Sequence, residues 1–407
     1  NRVAKRKGWY VISYDQAGHG DSTGNVNIMD PTYEGKMLKA VLDWAEGNLS
    51  NLAYRNKNAK ANPVIGTIGR SYGGAFQLMA AGIDDRIDAM VPGGTWFDLR
   101  YSLNPNGVPK TTYLNALVLS GLQSNQGRFE PFLYEELLRA STTNVVTEPT
   151  IRRLGSNGSI SYCTNTDFGE FKRMMTLKSD IPALFVQGAH DIIFNLNEGI
   201  QNFECYNRVN LNAKLLMVKY GHSLDALMLQ ASPSAALAGT GAKYAFNESK
   251  VWLKTISANC PAALFDVTTG RCVMDLKNIM FQFLVEHLIG ADSAKSKAYL
   301  GFDPLMIPKV TTVIEDGRAD STAIAVEPVQ INSLVKGEVG TLSEATAPTA
   351  LFEQATGLTG IPSGLGDTAL SALAQPIFKP LSNGAVPGCY VGTPKAKVTI
   401  SPAVLPA

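Results

Sequence analysis

No two of the five cysteines, Cys163, Cys205, Cys260, Cys272 and Cys389, stand in a C-x-x-C pair. That absence removes the usual signatures of a zinc site and of a thioredoxin-type redox site. Cys260 and Cys272 flank a short loop. A bridge between them would fit an exported protein and reduced core thiols an intracellular one, and the spacing leaves both open. Charge of one sign is lacking as well, because 36 basic residues face 35 acidic ones and charged residues make up only 17% of the chain. Nothing in that balance points to nucleic acid, and no basic stripe or acidic tail stands out. No uninterrupted apolar run reaches membrane-spanning length. The opening stretch Asn1-Arg2-Val3-Ala4-Lys5-Arg6-Lys7 has neither an initiator Met nor an apolar signal core behind its charges. The chain is therefore expected to lack its true start, and a secreted or periplasmic setting is favoured over the cytoplasm.

What the sequence does contain is an alternation. Apolar, β-branched runs at Gly8–Tyr14, Val64–Ile68, Ile87–Val91, Ala183–Val186 and Lys214–Val218 read as strands, the first of them buried. Helical spacing of apolar residues marks Thr32–Glu46, Ala75–Ala81, Asn197–Asn207 and Met280–Ile289, with Asp30-Pro31 as a start signal for the first. Strands alternating with helices imply a mostly parallel sheet covered on both faces. Between Pro92 and Pro182 the alternation stops and helical segments such as Thr112–Leu119 and Phe132–Leu138 take over. The expected division is a core in two parts, 1–94 and 182–295, around a helical lid at 95–181. Beyond 296 the chain turns rich in Ala, Gly, Thr, Ser and Pro, and 296–407 is expected to be a loosely structured extension.

The chemistry concentrates at Gly69-Arg70-Ser71-Tyr72-Gly73-Gly74, between an apolar strand and a helix. A serine hydroxyl is a poor nucleophile at neutral pH. It needs projection from a strained turn beside a general base, with small flanking residues that let strand and helix approach. Gly69-x-Ser71-x-Gly73 meets that need, so Ser71 is the candidate nucleophile. In a fold of this kind the acid and then the histidine follow the serine. Only four histidines are available. His19 precedes the serine, and His287 falls inside the predicted closing helix. His222, after the strand that ends at Val218, is the preferred base, with His190 as the alternative. Asp191, at the end of the strand region 183–190, is the preferred orienting acid. Its rival Asp225 reads better as a cap for a helix near Leu224. The backbone N–H of Tyr72, at the helix start, would supply one oxyanion donor. Asp15 reads as a structural carboxylate.

Taken in order, Trp9 to Gly24, Tyr33-Glu34-Gly35, Asp43-Trp44, Gly69 to Gly74, Arg86 to Pro92 with Trp96, Gln187-Gly188-x-x-Asp191 and Gly221-His222 resemble the X-prolyl dipeptidyl-peptidase and cocaine-esterase-like acyl hydrolases over about residues 8 to 295. The resemblance implies the α/β-hydrolase fold and a triad of Ser71, Asp191 and His222. It also implies earlier strands before Gly8, with a loop bearing a second oxyanion donor, and a C-terminal jelly roll whose opening strand Val391–Pro402 resembles. The chain is thus expected to be trimmed at both ends. Two departures are Ala17, where the family usually has arginine, and Met37, where aspartate is common. The expected activity is hydrolysis of a small-molecule ester or short peptide without metal or organic cofactor. Esterase is preferred, X-prolyl dipeptidyl aminopeptidase is the alternative, and a non-catalytic binding protein of the same fold is the reading of another class. Oligomeric state is not legible.

Overall fold

In the computed structural model the described residues are 8–55, 62–118 apart from 112 and 116, 128–159 apart from 157, 181–188, 191, 193–207, 212–218, 222, 250–253, 262, 265–267, and 271–320 apart from 291, 308, 316 and 317. His190, Asp225, Cys260, Asp167 and the extension from 321 onward, with the strand expected at Val391–Pro402, lie outside them. All described residues belong to the first of the two compact units into which the chain divides.

Four strands form the part of the sheet that carries the site: β1 (Ile65–Arg70), β2 (Ile87–Gly93), β3 (Ala183–Gly188) and β4 (Ala213–Val218). They pair in that order, each parallel to the next. Their helices are α1 (Glu34–Asn48), α2 (Tyr72–Ile83), α3 (Leu99–Leu103), α4 (Pro131–Thr143), α5 (Glu148–Ser156), α6 (Leu196–Asn207), α7 (Leu276–Leu288) and α8 (Ser293–Leu300). Further strands β5 (Lys250–Leu253), β6 (Phe265–Asp266), β7 (Arg271–Asp275), β8 (Val310–Glu315) and β9 (Arg318–Asp320) extend the sheet beyond β4. Residues from 296 onward were expected to form the extension, yet β8 pairs in parallel with β4 and so continues the core sheet.

The two-residue period of a strand sends alternate side chains to opposite faces. On β3, Leu184 and Val186 meet Ile279, Phe283 and Leu284 of α7, while Phe185 points the other way, its ring 5.3 Å from Tyr206 of α6. β1 shows the same split: a Cβ on Gly66 would strike Leu288 of α7 and one on Gly69 would strike the backbone of α2. Helices therefore cover both faces, and β2 and β3 are buried along their whole length. Each large side chain withdrawn from water in this way contributes about 1.5–3 kcal/mol. Asp88, nearly buried on β2, accepts from the Ile65 N–H at 3.0 Å and pairs with Arg55 at 2.9 Å, which ties the start of β1 to its neighbour. Asp30 holds the turn that leads into α1, its side chain accepting from the N–H and hydroxyl of Thr32 and its carbonyl from the Glu34 N–H.

One expectation is corrected. Residues 9–14 form no strand, and Tyr10, Val11 and Ile12 are 55%, 40% and 44% exposed instead of buried. A strand is defined by its ladder partner, and among the described residues this run has none. β1, at the end of the sheet order, leaves Ile68 exposed in the same way. Trp9 packs inward against Phe281 and Tyr299, and Tyr14 against Phe76.

Candidate active site

Ser71 occupies the one-residue turn between β1 and α2. Its backbone sits at φ 57°, ψ −121°, a region that costs an L-residue roughly 1–3 kcal/mol. The turn is held from both sides: the Ser71 N–H donates to Gly93 O at 2.9 Å, and the Ser71 carbonyl accepts from Gly74 and Ala75. Close approach of strand and helix needs glycine at two places. A Cβ on Gly69 would come within 2.5 Å of Gly73 O, and one on Gly74 within 2.8 Å of Gly93 O. Gly73, by contrast, has nothing within 4 Å of its Cβ position, so the second glycine of the expected G-x-S-x-G pattern is not the one packing demands. Gly69→Ala is accordingly expected to force the turn open, losing about 1–3 kcal/mol of stability and most activity. Gly73→Ala should stay within about 0.5 kcal/mol. Denaturant midpoints and ester turnover of the two variants check this, and equal behaviour would count against the assignment.

Buried Gln77 secures the same turn, a role that the sequence reading missed. Its amide nitrogen donates to Gly69 O, Gly73 O and Val91 O at 3.0–3.1 Å, while its oxygen accepts from the Val91 N–H and the Thr67 hydroxyl. The only hint in the sequence is a polar residue in the otherwise apolar run Ala75–Ala81.

Ser71, His222 and Asp191 come together. Ser71 Oγ lies 2.7 Å from His222 Nε2, and His222 Nδ1 lies 2.7 Å from Asp191 Oδ2. Asp191 is buried, and its other oxygen accepts from the N–H groups of Ile193 and Phe194 at 3.1 and 2.9 Å. The ring of Phe194 meets His222 edge-on at 4.9 Å, and Phe194, Trp96 and Tyr72 form a continuous aromatic wall. Tyr72 is the first residue of α2, so its N–H is among the helix-start amides without an intrahelical acceptor. Its hydroxyl is anchored, accepting from the Met29 N–H at 2.7 Å and donating to Glu34 at 3.3 Å.

Three charged groups near the site were not anticipated. Arg70 is held below the ordinary guanidinium range by burial, against the pull of Asp191's charge. Fully buried Glu198 on α6 is pushed up to about 7 by burial, although it accepts from Phe97 N, Asp98 N and the Ser102 hydroxyl. It thereby holds the turn that follows β2. Lys110 donates to Ile193 O at 2.9 Å, and burial pushes it down to about 8 against the charges of Glu198 and Asp191. All three depend on partners distant in sequence.

His287 lies in α7 with its ring against Phe283, pushed down to about 4 by burial and by the charges of Lys214 and Arg55. His19 rests 5.7 Å from the Tyr72 ring. Asp15 accepts from the Asp21 N–H inside its own turn. Cys205 on α6 is in a disulfide.

A strained serine at a strand-to-helix turn, a parallel sheet with helices on both faces, and an acid and a histidine following later strands define the α/β-hydrolase fold. The model of the X-Pro dipeptidyl-peptidase (S15) family matches residues 3–224, more than half of the chain, and spans Ser71, Asp191 and His222. The chain belongs to the X-Pro dipeptidyl-peptidase (S15) family. As an S15 member it is a serine hydrolase. A search among curated proteins finds no match. Solved structures similar to this S15 chain include an esterase of Pyrococcus furiosus, at 17% identity over 59% of this chain and 72% of the esterase, TM-score 0.32. An aminopeptidase of a marine sediment Thaumarchaeota archaeon shows 14% identity over 77% and 47%, TM-score 0.37. A meta-cleavage product hydrolase of Pseudomonas fluorescens shows 14% over 59% and 82%, TM-score 0.31. Scores this low carry no weight for function. Among the described residues no helix is long and apolar enough to cross a membrane, and no group of histidine, cysteine and acidic side chains could hold a metal ion.

Proposed function

We propose that this S15 hydrolase cleaves carboxylic esters through Ser71, His222 and Asp191. The observation that carries the reading is the unbroken relay of two 2.7 Å contacts from Ser71 Oγ through both ring nitrogens of His222 to Asp191. With Nδ1–H donating to Asp191, Nε2 is left as the acceptor for the serine proton. Ser71 Oγ attacks the ester carbonyl as its proton passes to His222 Nε2, and the Tyr72 N–H donates to the developing oxyanion. His222 returns the proton to the departing alcohol, leaving an acyl-enzyme. Water then gives a proton to His222 and its oxygen to the acyl carbon. The acid departs and Ser71 regains its hydrogen. In this reading the insertion at 95–181 forms the lid over the site.

The choice of ester over X-prolyl peptide rests on the carboxylates of the insertion. A dipeptidyl-peptidase needs an acidic group for the substrate's free amine. Among the described residues of the insertion, Glu130 accepts from Asn25, Glu136 accepts from the Thr147 N–H and pairs with Arg139, Asp98 pairs with Arg100, and Glu148 pairs with Arg152. Glu135 lies on the exposed side of α4. The family match supports the peptidase as the second reading. Turnover of short p-nitrophenyl esters measured beside an alanyl-prolyl anilide decides between them: ester hydrolysis well above anilide cleavage is expected, and selective anilide cleavage would overturn it. The disulfide at Cys205 supports an oxidising, exported setting.

A further inference from the structure

We infer that Lys110 is a positioning residue for the triad: by holding the Ile193 carbonyl it fixes the turn on which Asp191 stands and couples the root of the insertion to the acid. The inference rests on the proposed roles of Ser71, His222 and Asp191.

The turn 191–194 has to present one carboxylate oxygen to His222 while the other accepts from the Ile193 and Phe194 N–H groups. Two carbonyls of that turn are clamped from outside it. Phe194 O accepts from the side-chain amide of buried Gln187 at 2.6 Å, and Ile193 O accepts from Lys110 Nζ at 2.9 Å. Gln187 stands on β3, the strand that leads into the turn. Lys110 comes from 83 residues upstream, in the segment after α3, where its own N–H is bonded to Leu103 O. Thus one clamp belongs to the sheet and the other to the insertion.

A neutral donor could make the same hydrogen bond, but Lys110 also brings charge. Among the described residues, the charged groups that face it are Glu198 of α6 and Asp191 of the turn. Beyond Asp191 stand His222, bonded to it, and Arg70, whose charge also bears on it. A buried carboxylate that must stabilise an imidazolium in the transition state works best when its own position and field do not relax during the reaction. An ammonium fastened to the backbone of its turn serves both ends. Burial brings Lys110 down to about 8, so the ammonium is present below that pH and is lost above it, leaving Glu198 and Asp191 without that counter-charge.

The test follows kcat and KM of the full chain on a short p-nitrophenyl ester across neutral and alkaline pH, in the unchanged protein, Lys110→Met and Lys110→Arg, each with and without Asp191→Asn. The unchanged protein should lose kcat as the pH rises through about 8. Lys110→Met should lower kcat roughly 10- to 100-fold with little change in KM, and its alkaline limb should disappear. Lys110→Arg should retain most of kcat and move the limb upward, because a guanidinium keeps its proton. In the Asp191→Asn background the Lys110 substitutions should have little further effect, since the residue acts through that acid. Unchanged kcat in Lys110→Met overturns the inference, and so does a limb that stays near pH 8 in Lys110→Arg. If Lys110→Met does not fold, the limb of Lys110→Arg decides by itself. If Asp191→Asn alone leaves the rate intact, the triad assignment fails, an outcome distinct from failure of the Lys110 role.

Discussion

Ser71→Ala is expected to lower kcat for ester hydrolysis by about 10^4- to 10^6-fold while leaving the protein folded. The size follows from what the hydroxyl does. Without Oγ no acyl-enzyme forms, and His222 and the Tyr72 amide are left to assist direct attack by water, which accounts for the residual rate. The fold should persist because alanine accepts the Ser71 backbone geometry at about the same strain. The N–H bond to Gly93 O and the bonds from Gly74 and Ala75 do not involve the side chain. Only the hydrogen bond to His222 is lost, worth about 1 kcal/mol. Turnover under saturating ester, together with loss of labelling by a fluorophosphonate, measures the effect. A variant retaining a tenth of the rate would sink the assignment of Ser71 as nucleophile.

Asp191→Asn should cost about 10^4-fold in kcat, although the replacement is almost the same shape. The Asn oxygen can still accept from the Ile193 and Phe194 N–H groups, so the turn survives. What changes is the atom facing His222 Nδ1, which becomes a donor where a carboxylate oxygen stood. The imidazole then adopts the tautomer with its hydrogen on Nε2. In that state it donates to Ser71 and cannot take the serine's proton, and no carboxylate stabilises an imidazolium. Circular dichroism and the thermal midpoint should match those of the unchanged protein while kcat collapses. A rate within tenfold of it would mean that another group, such as Asp225, orients the histidine.

Much of the hydrolase frame was legible in local pattern. The runs at 64–68, 87–91, 183–186 and 214–218 read as strands because β-branched, apolar side chains pack well on a doubly covered sheet. Ser71 was legible because its turn needs small neighbours close in sequence. The run at 8–14 misled for the converse reason. Its composition is that of a buried strand, but burial and pairing come from a neighbour that composition does not specify. Gly73 was credited with a role that belongs to Gly74, because the consensus spacing says nothing of which glycine meets Gly93 and Thr95.

By itself, then, the sequence determined the order of the four strands that carry the site, the serine's turn, and a short list of histidines and carboxylates able to serve it. These follow from chemistry within a few residues of each position. Only the tertiary structure decided that His222 stands against Ser71 across 151 residues. Tertiary contacts likewise set Gln77 to secure the turn and placed Lys110 against the turn that bears the acid. A side chain's partner is set by how the sheet brings distant strand ends together, and that geometry is written in the packing of the whole core instead of in any one segment.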